Sequence, residues 1–263
     1  MGGENTLLAH WCYGHQLYLI VFHAFGEVDY LINDWQSALK TLHSMNTTSS
    51  ISAEHLADIQ ERLGCDNLKA VRACLTRWLS NYQCADRLRR TLPAHCLNVL
   101  LKINNATADE AKTWRSLHKE ISSFNFIAST YLLVDVLGAM NVFSRSVQTE
   151  NIQVREILRQ YEVCAAYLVD VKTELKTHSE GATIQNAHPK LPRLVELVQT
   201  AKKMKAGDRK KFLNITATDV ANDLKDLLQS FAQEIAIPFV DTLLKGLRER
   251  FENGDALKLC RAI

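Results

Sequence analysis

The chain has 263 residues, 47% apolar and 23% charged, and a formal charge of only +2. This is ordinary globular composition with ample chain for a buried core. Bulk electrostatics do not mark a nucleic-acid binder, so any such role has to rest on local patches. Ten glycines and four prolines leave long stretches without punctuation, which favours helices over many short strands. Seven scattered cysteines with no signal peptide before them predict reduced thiols in an intracellular protein.

In chain order, residues 6–25 read as a helix capped by Asn5 or Thr6. Its apolar run from Leu17 to Phe25 is too short to span a bilayer and contains His23. These first 25 residues, apolar on most sides, are the expected site of any exposed apolar patch. A second helix is predicted over 27–44, with Val28, Leu31, Trp35, Leu39 and Leu42 at helical spacing. Met45 to Ser50 reads as a loop. Ser52 then caps a short helix that stops before Gly64, a residue suited to the C′ position. Residues 65–75 fit no class clearly.

The next helix starts at Arg77 with Thr76 as its cap. Trp78, Tyr82, Ala85, Leu92, Cys96 and Val99 share one face, and Arg77, Ser80, Cys84 and Arg87 a neighbouring one. Pro93 is expected to kink or split it near Leu92. Thr107-Ala108-Asp109-Glu110 fits a capping box and opens a long helical pattern, broken at most once, to about Gln148. Further helices are predicted over 152–178 and 192–205, with residues 179–190 as the loop or boundary between them. The last long helix starts at Thr218 or Asp219, is kinked by Pro238 and ends at Asn253-Gly254.

Several groups of residues could carry chemistry. Cys12 and His15 form a C-x-x-H pair whose side chains share a helix face, with His10 and His23 nearby. Zinc needs a second tight pair, and none follows, so a buried thiol and a hydrogen-bonded histidine are the simpler account and no metal site is assigned. A Cys/His nucleophile would need a stabilised thiolate and an orienting third group. No phosphate-binding glycine loop, nucleophile elbow or clustered acid/base pair is present. Arg77 and Trp78 place a cation beside the largest aromatic ring at a helix start, a pairing suited to a phosphate and a displaced base. Trp78 also heads the apolar face of its helix, which makes it equally a core anchor. Arg87, with Arg89 and Arg90, reads either as phosphate contacts or as a solvated basic face. The segment 202–211 carries six positive charges and one negative. Its Lys202, Lys203, Lys205, Lys210 and Lys211 are candidate phosphate contacts, or simply exposed helix ends.

Four ordered blocks resemble the hAT superfamily of transposases, in particular the zinc-finger-protein and SUMO-ligase-like genes domesticated from it. They are the C-x-x-H helix HWCYGHQLYLIVFHAF; TRWLSNYQCADRLRRTLPAHCLNVL, which carries the TRW signature; FIASTYLLVDVLGAMNVFSRSVQ over 126–148; and FVDTLLKGLRERF over 239–251. The resemblance implies an all-α, multi-helix insertion domain of an RNase-H-like transposase, with the β-sheet catalytic core largely missing. It divides the chain into residues 1–75, helices flanking the lost core, and 76–263, the insertion domain. The family holds two metal ions on Asp, Asp and Glu for strand cleavage. Its first two Asp lie upstream of the C-x-x-H motif, where this chain offers only Glu4. The family's Trp stacks on a flipped base and its His positions the scissile phosphate; the matching residues are Trp78 and His15.

The reading that follows is a catalytically inactive, transposase-derived nuclear protein, without cofactor, that binds DNA or protein or associates with itself. It excludes a membrane or small-molecule partner. The alternatives are a helical scaffold that touches no nucleic acid, and a fragment of a longer transposase-like product.

Overall fold

The structure, a computed structural model, describes residues 13–70, 78–148, 153–179, 190–203 and 220–252. For Trp78, Leu79, Val154, His178, Ser179, Lys202, Val220, Ala221, Asn222 and Asp223 among these it gives the backbone alone. The described residues are all-α, with no strand among them. The helices are α1 (Tyr13–Gly26), α2 (Gln36–Thr47), α3 (Ser50–Arg62), α4 (Trp78–Asn105), α5 (Ala108–Ile121), α6 (Phe124–Val147), α7 (Val154–Ser179), α8 (Pro192–Lys203), α9 (Val220–Phe231) and α10 (Ile237–Leu247). Three π-helical turns, Tyr30–Trp35, Ala232–Ala236 and Arg248–Glu252, adjoin α2, α9 and α10.

Helix α6 organises the rest. Its sequence, FNFIASTYLLVDVLGAMNVFSRSV, is apolar around nearly its whole circumference, so no single face can be turned to water. By length and composition it could cross a bilayer, yet 78% of its most apolar window is covered by the other helices. Helices α4, α7 and α8 pack against it, and α1 contacts it as well. One apolar cluster runs from Leu17 to Phe251 and joins both sides of residue 75. Trp35 is completely buried in that cluster, and its indole N–H donates to the Thr130 hydroxyl at 3.0 Å. Thr130 in turn donates to the Phe126 carbonyl, so the Trp35 ring is buried without an orphaned donor.

Several element ends follow local chemistry that the sequence displays. Gly64 sits at φ +63, with Gly64 N–H bonded to the Glu61 carbonyl and Cys65 N–H to the Gln60 carbonyl. This is a Schellman ending, which a residue with a Cβ adopts only with strain. Thr107 and Glu110 form the expected capping box, the Glu110 carboxylate accepting from the Thr107 N–H at 3.1 Å and hydroxyl at 2.8 Å. The break in the long pattern falls at Ser122–Ser123, where the Ser123 hydroxyl accepts from Phe126 N–H.

Other ends differ from expectation. The 45–50 loop shrinks to Thr48 and Ser49, because Met45 and Asn46 stay helical and are buried. The cap of α3 is Ser49, which accepts from Ser52 N–H, and not Ser52 itself. Pro93 does not split α4, which runs unbroken from Trp78 to Asn105. The ring points outward, and the packing of α4 on α5 and α6 holds the helix through the missing hydrogen bond. Cys84, placed with the polar residues on the wheel, is buried. Pro238 acts through a π turn just before α10, which accommodates the lost donor without ending the helix. The predicted caps Asn5, Thr6, Thr76, Thr218 and Asp219, the end at Asn253-Gly254 and most of the 179–190 boundary lie outside the described residues.

Helices α1 and α10 run antiparallel. Tyr13 faces Phe251 at 6.0 Å between ring centroids, Ile20 faces Gly246, and Phe25 meets Phe239 at 5.3 Å. Phe251 also packs against Phe143 and Tyr161, so one ring joins α1, α6 and α7. A Cβ built on Gly246 would lie 3.0 Å from Ile20 Cγ2 and 3.1 Å from Cγ1. Two predictions follow from this packing and from a buried amide cluster beneath it. Gly246→Leu should lower stability by about 1–3 kcal/mol through overpacking, read as a fall in the urea midpoint at unchanged slope, with Ile20→Ala in the same chain restoring part of the loss.

The cluster lies between α2 and α4. Asn46 Nδ2 donates to the Leu42 carbonyl at 2.6 Å and lies 3.5 Å from His95 Nδ1, while Asn98 Nδ2 donates to Asn46 Oδ1 at 2.7 Å. Burial lowers the His95 pKa from 6.5 to about 4, because an imidazolium there would lose its water. The folded state therefore binds this proton less readily than the unfolded chain. The stabilisation is fully present above pH 6.5 and is lost as pH falls through about 4. The difference in urea-derived stability between the native chain and His95→Gln should vary with pH over that window and be flat above it.

Candidate nucleic-acid interface

The cations of α4 are drawn into the fold. Arg87, half-buried, donates from Nη1 to the Lys69 carbonyl at 3.1 Å. Arg90 pairs with Asp66 at 2.5 Å and with Asp86 at 3.7 Å, and Arg89 pairs with Asp86 at 3.5 Å. The Arg87–Lys69 and Arg90–Asp66 contacts fasten the 65–70 segment along α4, while the pairs with Asp86 lie within α4 itself. Gln60 fastens it from the other side, its amide group both donating to and accepting from the Leu68 backbone. Arg87 thus has a structural use in the positioning of Lys69. Solvent-exposed pairs of this kind contribute little each, about 0–1 kcal/mol, but they occupy the guanidinium groups.

The other expected contacts are distributed as follows. Trp78 is the first residue of α4. Arg77, Lys205, Lys210, Lys211 and Cys12 lie outside the described residues, as do His10 and Glu4. Lys202 belongs to α8, and Lys203 is exposed at its end.

His15 is exposed on the outer side of α1. Its ring stacks against Tyr18 at 5.8 Å with 30° between the planes, and Tyr18 meets Phe22 at 5.8 Å and 33°. Positions 15, 18 and 22 fall on one helical stripe, opposite the buried Leu17, Ile20, Val21, Ala24 and Phe25. Phe22 is 44% exposed, unusual for a phenylalanine on a helix this apolar. Tyr18 and Phe22 were absent from the residues singled out by sequence. The i, i+3, i+7 spacing of three rings was the available signal, hidden because every face of this helix reads as apolar.

Exposed cations lie at the level of this stripe on α10 and the π turn that follows it. Because α10 runs antiparallel to α1, the stretch between Gly246 and Phe251 lies level with the stretch between Ile20 and Tyr13. Lys245, Arg248 and Arg250 are exposed there, with Glu249 among them. The rings of α1 and the exposed cations after Gly246 thus lie at the same level of two paired helices, and rings with cations are the groups that serve single nucleic-acid strands.

The remaining reactive groups are packed away. Burial pushes the Cys84 and Cys164 thiols up to about 12 and Cys96 to about 11, so all three stay protonated at neutral pH. Among the described residues no three His, Cys, Asp or Glu side chains converge in a way that could hold a metal ion. An open groove of about 440 Å³ runs between α2 and α5, lined by small polar side chains such as Ser37, Thr41, Thr113 and Ser116. At its head the Tyr30 hydroxyl donates to Glu120 at 2.6 Å, and this bond together with burial keeps the phenol protonated. Comparison with protein-family models, curated proteins and solved structures finds no match for this chain.

Proposed function

We propose that this chain is a catalytically inactive, hAT-transposase-derived helical protein of the nucleus that binds nucleic acid through the outer face of α1. The observation that carries the reading is the row His15–Tyr18–Phe22, exposed at His15 and Phe22 with Tyr18 half-buried between them. Rings held at fixed spacing on a rigid helix offer stacking platforms to unpaired bases, and every base has a π face to stack. Lys245, Arg248 and Arg250 supply phosphate contacts at the same level. His15, the residue that matches the family's phosphate-positioning histidine, is one end of the row. The role proposed is binding. The fold that the resemblance implies, a helical insertion domain of an RNase-H-like enzyme, suits the all-α architecture.

The test is fluorescence anisotropy with a labelled 20-nucleotide single strand and its duplex. Binding to the single strand should weaken steeply as salt rises, and Arg248→Glu should reduce that slope. Tyr18→Ala and Phe22→Ala should each weaken it by about 1–3 kcal/mol, roughly five- to a hundredfold, with thermal unfolding by circular dichroism little changed for Phe22→Ala, whose ring is exposed, and lowered for Tyr18→Ala, whose ring packs partly against the core. No binding at low salt, or binding indifferent to all three substitutions, would reject the reading in favour of a scaffold that uses this face for protein contacts.

A further inference from the structure

The groove between α2 and α5 has two polar walls. Ser37 and Thr41 stand one turn apart on α2, and Thr113, Ser116 and Glu120 follow at i, i+3 and i+7 on α5. Between them lie the apolar Ala38 and Leu117, both nearly buried. The groove encloses about 440 Å³ and is open to solvent. The Thr41 hydroxyl donates to the Ser37 carbonyl at 3.0 Å, so its oxygen can still accept. Among the described residues the exposed Ser37, Thr113 and Ser116 hydroxyls hold no protein hydrogen bond.

The lining is also short of positive charge. Among the described residues the Glu120 carboxylate holds one group, the Tyr30 hydroxyl, which donates to it at 2.6 Å. Asp34, one turn on from Tyr30, lines the groove too and acts on the same phenol. It is exposed and meets no cation among the described residues. Lys119 is the single cation among the lining residues, and it pairs with neither carboxylate.

Such walls suit an extended backbone. A hydroxyl both donates and accepts, so a row of them can meet N–H and C=O groups that alternate along a chain. Side chains one helical turn apart stand about 6 Å apart along the axis. Groups on one side of an extended chain recur at about 6.7 Å, so the two repeats stay in step over a few residues. From Thr113 to Glu120 the wall runs about 10 Å, the length of three extended residues. Small side chains let that backbone approach closely, and two carboxylates with no cation partner favour a ligand that brings one.

We propose that this groove docks a short extended segment of a partner protein, with a lysine or arginine that reaches Asp34 and Glu120. None of these residues belongs to the ring row of α1, so the two sites can be tested apart.

The test is a nuclear magnetic resonance titration of the full nitrogen-15-labelled chain with blocked alanine pentapeptides. Their central residue is lysine, arginine, glutamate or norleucine, the last matching lysine in reach without its charge. The lysine and arginine peptides should shift the Ser37, Thr41, Thr113 and Ser116 amides saturably. The norleucine and glutamate peptides should bind roughly tenfold more weakly or less. Asp34→Asn with Glu120→Gln keeps an acceptor for the Tyr30 hydroxyl and should erase that preference; if the pair does not fold, Asp34→Asn alone, at an exposed position, should reduce it. Lys119→Ala removes the opposing charge and should tighten the lysine peptide by about two- to fivefold. Equal affinity for the lysine and norleucine peptides, a preference that survives these variants, or no saturable shift at the groove amides overturns the proposal. So does acetyl-lysine amide alone binding as tightly as the pentapeptide, since the walls would then hold no backbone.

Discussion

Everything in this fold follows from the need to cover α6. Twenty-four residues with almost no polar face can leave only a narrow strip, around Val142 and Arg145, in water, and burial of each large apolar side chain is worth about 1.5–3 kcal/mol. No single neighbour can shield such a helix. It takes α4 on one side, α7 and α8 on others, and the α1–α10 pair at its end. Helices α5 and α8 are amphipathic and carry their charged residues on their outer faces.

That coverage sets the chemistry of the few polar groups trapped inside. The Trp35 indole finds Thr130, the Asn46 amide finds Asn98 and the Leu42 carbonyl, and Asp135 finds the bare N–H groups of α8. Each buried donor or acceptor left alone would cost about 1–3 kcal/mol, so these pairs fix register as well as satisfy bonds. The buried His95 favours the folded state at higher pH, because burial excludes its charged form.

Burial also separates cations that serve the fold from those that face solvent. Arg87, Arg89 and Arg90 look in sequence like a basic face beside the TRW signature. In the fold Arg87 and Arg90 are fastened to Lys69 and Asp66 and hold the chain that approaches α4, while Arg89 pairs with Asp86 within the helix. The aromatic row of α1 is exposed at His15 and Phe22 while Tyr18 packs partly against the core, and the exposed cations at its level come more than two hundred residues later in sequence.

The sequence by itself determined the helices and most of their ends, because those depend on near neighbours. Helical periodicity located α4 through α8, Thr107–Glu110 declared a capping box, and Gly64 marked a left-handed ending. Where it misled, distant contacts had overruled local signals. Asn46 stayed helical because Asn98 reaches it from α4, and Pro93 was carried through by the packing of α4 on its neighbours. His15 was legible as a residue of interest; its stacking partners Tyr18 and Phe22 were not, since an all-apolar helix does not reveal which face its neighbours will take. Only the tertiary structure chose that face, by pressing Gly246 of α10 against Ile20, and only it turned Asp135 from a charge out of place in α6 into the cap of a helix 58 residues on. The reason is the same in both cases. A sequence shows which groups must be covered or paired, and the partner that covers or pairs them is decided by which helices meet.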